Sequence, residues 1–385
     1  MTQLLATVLA LLASLAIGLG KEHESYDRFP IVVEDKYGYI DGMGNVAIEP
    51  QFDSAASFSD GLALVKVAGK WGYINVSGRQ VIAVKFESAR SFSEGLGTVF
   101  LRDSAGTGWR IIDQTGRVVI RSRFDQPVIF SDGRAWFATR GYWRGCIDRF
   151  GDTVIEPTFP YEDRSFSEGL AYALFRGRHG YIDKNGKVAV EANFDWGGDF
   201  HEGLAYFMNE GTPPDRWGYI DKAGRVVIKP QYGRAGDFSE GLAPVSIDGK
   251  WGYIARTGKV VIAARFAEAR GFSEGLAAVK LAAVGNARYK VLRLESGRDA
   301  RGGHAESDSS GYGYIDKSGK MAIKPQFDCA GDFSDGLAEA WVVDRTDPRY
   351  GIASELPPPR QRYGYIDKRG NYVWETIEPA RRGRR

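Results

Sequence analysis

The chain is poor in the residues that most often carry chemistry. It has two cysteines, Cys146 and Cys329, and four histidines, His23, His179, His201 and His304. No two histidines are spaced as metal ligands, and no cysteine pair suggests a disulfide or a zinc site. Cys146 stands where related segments have Tyr, so it is expected to pack as a small hydrophobe. There is no Ser/His/Asp arrangement and no phosphate-cradling glycine loop. A strong charge bias is also missing: the formal net charge is +2. The last six residues, ARRGRR, carry four arginines, so the remainder sums to −2. A body that near neutrality excludes an electrostatic trap for nucleic acid. Long apolar runs are absent beyond the first twenty residues. That stretch, MTQLLATVLALLASLAIGLG, has no charged side chain and ends in small residues. It reads as a secretory signal peptide over 1–20, or as an uncleaved anchor at the short limit for spanning a bilayer. Export to the periplasm, cell envelope or medium is the expectation, with membrane contact only through this segment if it is retained.

What is abundant is glycine, with 49 residues, and aromatics, at 13%. Both recur in order. An aromatic-Gly-Tyr-Ile-Asp motif has its glycine at Gly38, Gly72, Gly145, Gly180, Gly218, Gly252, Gly313 and Gly364. A degenerate copy runs from Trp109 to Asp113. A second motif, Phe-Ser-Glu/Asp-Gly-Leu, starts at Phe58, Phe92, Phe166, Phe238, Phe272 and Phe333, with looser copies at Phe130 and Phe200. Between them lie alternating strands and turn residues rather than helical periodicity. In Leu62–Phe86, LALVKV, WGYIN and QVIAV are three strands. AGK is a tight turn, and VSGR is a type I turn closed by a glycine bulge.

The chain therefore reads as all-β: a tandem array of about nine three-stranded antiparallel meanders. First strands begin near Phe29, Leu62, Leu96, Arg134, Leu170, Leu204, Leu242, Leu276 and Leu337. A linker at 21–28 precedes the array at 29–379, which carries insertions at 282–311 and 344–362, and a basic tail at 380–385 follows it. Nine units exceed the usual four to eight blades of a propeller. An open, curved, solenoid-like array is expected, with a closed propeller-like ring as the alternative.

The motif KWGYID-x-x-G-x-VVI followed by FSEGLA resembles the WG repeat family of bacterial proteins, often exported, across almost all of 29–379. The resemblance implies a β-repeat array and no catalytic activity. The chain departs from the pattern at Arg110, which replaces the motif glycine, and at Cys146, so those units are expected to pack less regularly.

A carboxylate that recurs in eight loops (Asp60, Glu94, Asp132, Glu168, Glu202, Glu240, Glu274, Asp335) is not a pair in one cleft, as glycoside cleavage needs. Its expected task is to accept backbone N–H bonds beside a glycine of unusual φ. Asp183, Asp221 and Asp316 begin Asp-Lys-x-Gly turns that lack the further ligands of a calcium loop. They are expected to bond their own backbone. The recurring Trp and Tyr of the WGY motif, Trp71, Tyr73 and Trp251 among them, are read as packing residues.

Function should then lie in what varies. Along the first strands the second, fourth and sixth positions are small or aliphatic and should face the core. The third and fifth positions vary, and the middle units are aromatic there. Trp136, Tyr172, Leu174, Tyr206 and Met208 are therefore expected on one exposed face as a ligand-binding stripe. The reading is an exported, non-catalytic binding or scaffold module for a protein or cell-envelope component, with no cofactor, metal or catalytic residues. The alternative is a polysaccharide- or peptidoglycan-active enzyme built on the same array.

Overall fold

The structure is a computed structural model. It describes residues 27–103, 106–139, 143–160, 165–175, 177–209, 216–281, 311–343 and 360–379. The apolar N-terminal stretch, the basic tail and nearly all of both insertions lie outside these residues; the second insertion ends earlier than expected, because Arg360–Ile366 is a strand.

Among the described residues nine antiparallel meanders follow one another, beginning with Phe29–Val33, Lys36–Ile40 and Val46–Phe52 and ending with Ala338–Val343, Arg360–Ile366 and Tyr372–Pro379. Among the described residues no sheet curls into a barrel. The turns follow the residues that form them. Ala68 and Gly69 both have positive φ, at 46° and 79°, as a two-residue type I′ hairpin requires. In the next turn Gly78 N donates to Asn75 O and Asn75 N to Arg79 O, each at 2.9 Å, with Gly78 at φ 81°. This is a type I turn with its bulge. The second and third strands shift register between the Trp71 and Tyr73 pairings. The extra residue pushes the third strand onto the motif glycine: a Cβ on Gly72 would lie 2.7 Å from Val84 Cα. That contact is why glycine stands between the two aromatics.

Most units gain a short fourth strand, while the sheets of Phe29–Val33 and of Leu170–Phe175 keep three. The crossover leaving the third strand returns to pair with the first strand of the following unit, as Ser54–Ala55 does with Val65 and Lys66. Ser88–Ala89, Trp196–Gly197, Arg234–Ala235 and Cys329–Ala330 do the same. Between the seventh and eighth units the third strand continues into the crossover, Val260–Ala269, and fuses the two sheets into one of seven strands.

The core is divided into one hydrophobic cluster per pair of adjacent units. Tyr39, Ile48 and Phe52 of the first unit meet Ala63, Val65 and Ile74 of the second. The ends of the array also meet. Phe29, Ile31 and Ile40 of the first unit cluster with Leu337 and Tyr365 of the last. Tyr365 Oη donates to Pro30 O at 3.0 Å, 335 residues away in the chain. These two end faces cover each other, while the chain as a whole is the expected all-β, solenoid-like array of small antiparallel sheets.

First strands are buried on both sides, because each sheet is sandwiched between two others. Ala63, Leu64 and Val65 are all 7% exposed or less. Third strands alternate instead, with Ile82 and Phe86 inside and Val81, Ala83 and Lys85 less buried or exposed. Arg110 is 1% exposed, and its guanidinium donates to the carbonyls of Trp109 and Gly106.

Candidate functional site

The chemistry-bearing residues that recur converge on one set of loops. In Ser59-Asp60-Gly61-Leu62, Ser59 N donates to Leu62 O at 2.9 Å and Leu62 N to Ser59 O at 3.1 Å. Asp60 and Gly61 both have positive φ, 51° and 79°. The motif is thus a type I′ hairpin turn whose first central residue is a carboxylate. From the second unit on, it leads the crossover into the first long strand of the unit. The phenylalanine before it is buried under the motif tyrosine of the preceding unit; Tyr73 and Phe92 meet edge to face at 4.8 Å.

These turns are tied to one another. Gly95 N donates to Asp60 Oδ2 at 2.7 Å, and Ser59 Oγ donates to Phe92 O at 2.7 Å. A third bond runs alongside, from Tyr73 Oη to Arg90 O at 2.6 Å. The acid-to-glycine link repeats from Glu94 to Gly133, Asp132 to Gly169, Glu168 to Gly203, Glu202 to Gly241, Glu240 to Gly275 and Glu274 to Gly336. The carboxylates do accept backbone N–H groups, but from the next unit's turn rather than from their own. Strand alternation within one unit carries no information about that partner.

Lysines from a nearby turn complete the pattern. Lys222, Lys317 and Lys368 place Nζ 3.0 Å from Glu168, Glu240 and Glu274 respectively. Burial works against ionisation of Glu168 and Glu240. Hydrogen bonds from these lysines and from the loop amides outweigh it and hold both carboxyls below the usual range. Such groups are poor general acids at neutral pH.

The Asp-Lys-x-Gly turns behave as expected. Asp183 Oδ1 accepts from Asn185 N and Lys187 N, both at 2.9 Å, and Asp221 and Asp316 do likewise. Among the described residues no group of His, Cys, Asp and Glu could hold a metal ion. Both cysteines are free; Cys146 is buried, which pushes its thiol up to about 12.

The aromatic stripe is not an exposed face. Tyr172 and Met208 are 5% and 8% exposed, and Trp136, Leu174 and Tyr206 are half-buried. Trp136 stacks on Phe166 at 5.5 Å, and Tyr206 meets Trp217 edge to face at 5.3 Å. The expectation of exposure fails for one reason: the positions opposite the core-facing alanines face a second neighbour, not solvent. Trp136 packs in the cluster between the fourth and fifth units, Tyr172 between the fifth and sixth, and Tyr206 between the sixth and seventh.

One feature beside this stripe escapes a reading by motif. His179 takes the place of the motif tryptophan and stacks on Tyr172 at 4.7 Å and on Trp196 at 6.0 Å. His179 Nδ1 lies 2.7 Å from Asp195 O, and Trp196 is 51% exposed. The sequence signal was available: both residues break the local consensus, His179 in the fifth unit and Trp196 in the crossover that leaves it.

A family model described as WG containing repeat matches residues 37–71, 71–103, 109–143, 145–177, 180–212, 217–251, 251–282 and 312–340. The chain belongs to the WG repeat family. The matched WG repeats run from one motif glycine region to the next, so each spans parts of two structural units. A search of curated proteins found no match. Among solved structures the chain is similar to BamB from Moraxella catarrhalis, at 10% identity over 67% of this chain and 94% of the other, with a TM-score of 0.35. It is similar to Kluyvelomyces marxianus Hsv2 at 12% identity, over 59% of this chain and 88% of that one, TM-score 0.35. It also matches the tricorn protease at 11% identity and TM-score 0.34, over 86% of this chain but only 36% of that one.

Proposed function

We propose that this WG-repeat chain is an exported, non-catalytic binding or scaffold module whose partner is a protein or another component of the cell envelope. One observation carries the reading. The carboxylates that recur in the Phe-Ser-acid-Gly-Leu turns are used to join one unit to the next. Lysines and loop amides hold the Glu168 and Glu240 carboxyls below the usual range, which makes these two poor proton donors for glycan cleavage. What the array offers instead is a long, rigidly linked surface whose units differ in detail, which suits recognition.

The test compares binding with turnover. The purified full-length chain is incubated with peptidoglycan sacculi and with envelope extract, and both released soluble glycan and captured, cross-linked partners are measured. The expected result is saturable capture of a defined partner with no glycan release. Glycan release that disappears in Glu168→Gln, with the fold retained, would overturn the reading and install the enzyme in its place.

A further inference from the structure

The crossover that enters the sixth unit differs from the others at two successive residues. Register places Trp196 where Ser54, Ser88, Arg234, Glu268 and Cys329 stand elsewhere. It places Gly197 where Ala55, Ala89, Ala235, Ala269 and Ala330 stand. The rings beneath require the glycines. A Cβ on Gly197 would lie 2.8 Å from Tyr172 Cε2, and one on Gly198 would collide with the Tyr206 ring. The crossover therefore rests directly on two of the aromatics expected as an exposed stripe. Pairing of Trp196–Gly197 with Phe207 and Met208 then fixes the Trp196 backbone.

Three rings are layered from the core outward. Tyr172 is buried, His179 is half-buried and Trp196 is half-exposed. The planes of Tyr172 and His179 differ by 12°, and those of His179 and Trp196 by 29°. Because Asp195 O can only accept, His179 Nδ1 is the donor of the 2.7 Å bond between them, and this bond sets the ring's orientation. The motif tryptophans Trp71, Trp217 and Trp251 are more buried than Trp196, so the repeat itself does not account for its exposure. Polar groups edge the stack. Arg178 Nη2 donates to Asn193 O at 2.8 Å, to Asn209 Oδ1 at 3.2 Å and to Asp195 Oδ2 at 3.3 Å. All three bonds hold the guanidinium by one nitrogen, on a side chain that is 44% exposed. A guanidinium donor and a carboxylate acceptor thus stand together next to the outermost ring.

We propose that Trp196, with Arg178 and Asp195 at its edge, binds one pyranose ring of an envelope glycan. The proposal rests on the binding-module reading and names the chemistry of its partner. A pyranose has an apolar C–H face, which suits an indole, and a periphery of hydroxyls that both donate and accept. One hydroxyl donates to the Asp195 carboxylate, and a neighbouring oxygen accepts from Arg178. An anionic ligand would meet the same carboxylate, on a body with little net charge to attract it. The support beneath Trp196 is already packed, so binding orders little that is loose.

The test titrates the full-length chain by calorimetry with soluble hexamers of β-linked N-acetylglucosamine, β-linked glucose, α-linked glucose and β-linked mannose. Saturable binding of at least one is expected. Trp196→Ala should weaken it at least about tenfold, while Trp196→Tyr, which keeps a ring, retains most of the affinity. Arg178→Met, which keeps the stem and loses the donors, should also weaken it. Binding of none of the four hexamers, or equal affinity in Trp196→Ala, overturns the proposal. Should Trp196→Ala lose its fold, Arg178→Met decides in its place, and unchanged affinity there overturns the proposal. If envelope capture persists while no hexamer binds, this site falls and the binding-module reading stands.

Discussion

The carboxylate of Asp60 accepts the amide of Gly95 across the joint between two units, Oδ2 to N at 2.7 Å, and six further joints repeat the bond. Each acid sits at positive φ, a conformation that costs a non-glycine residue something, and the bond it makes lies outside its own turn. The motif acid is therefore placed by its turn and employed by its neighbour.

The first prediction compares a linked acid with an unlinked one. Glu94→Ala leaves the part-buried Gly133 amide without its acceptor and should cost about 1–2 kcal/mol. Asp335→Ala, whose carboxylate has no partner among the described residues, should stay within about 0.5 kcal/mol of the parent. Urea melts of the two variants check this. Equal losses would mean that the joint contributes nothing.

The motif glycines separate steric from conformational roles. Gly72→Ala would bring Cβ within 2.7 Å of Val84 Cα and 2.8 Å of Val84 N, both backbone atoms that cannot turn aside. Parting the second and third strands should cost more than about 3 kcal/mol. Gly69 has φ of 79° and nothing within 4 Å of an added Cβ, so Gly69→Ala should cost only about 1 kcal/mol. Gly78→Val combines both, with positive φ and Ile48 Cγ2 at 3.2 Å, and should exceed Gly69→Ala. Thermal melts rank the three. A Gly72→Ala variant no worse than Gly69→Ala would contradict the strand contact.

Much of this was legible in the residues. The strands were readable from alternation and turn chemistry, and the first strands start within a residue of their expected positions, from Leu62 to Leu276. The bulged turn at Gly78 was readable because its residue types admit few conformations. The direction of exposure along those strands was not. Ala135, Ala171 and Ala205 do face one neighbour, but period-2 alternation distinguishes two faces without saying that one is wet. Only the sandwiching of every sheet between two others decides that, and it is a long-range fact. The partner of each linked loop acid lies 35 to 62 residues on, and the same argument applies to it.

A third prediction follows for the aromatic stripe. Trp136, Tyr172 and Tyr206 pack at three successive joints, so replacing all three by Ser removes large side chains from three clusters. The loss should reach several kcal/mol, with Tyr172→Ser alone costing about 3 kcal/mol or more. Chemical denaturation measures it. A triple variant that melts like the parent would restore the stripe as a free surface.

The last prediction concerns high pH. Tyr39, Tyr73, Tyr219, Tyr253, Tyr314 and Tyr365 are each 0–3% exposed, and burial holds every one of their hydroxyls above the ordinary tyrosine range. In the unfolded chain they ionise near pH ~10. The folded state therefore retains protons that the unfolded state releases as pH rises past that value. Their contribution to stability is complete below pH ~10 and is lost progressively above it. Because six buried groups act together, unfolding should be steep, and tyrosinate absorbance should rise together with the loss of near-ultraviolet circular dichroism. Replacing Tyr73 by Phe tests one site. It forfeits the 2.6 Å bond to Arg90 O, costing about 1 kcal/mol at neutral pH, yet it removes one ionisation and should flatten the alkaline limb. Tyrosinate forming near pH ~10 with the fold intact would show that these rings are accessible to hydroxide, and the buried-joint account of the motif tyrosine would fail.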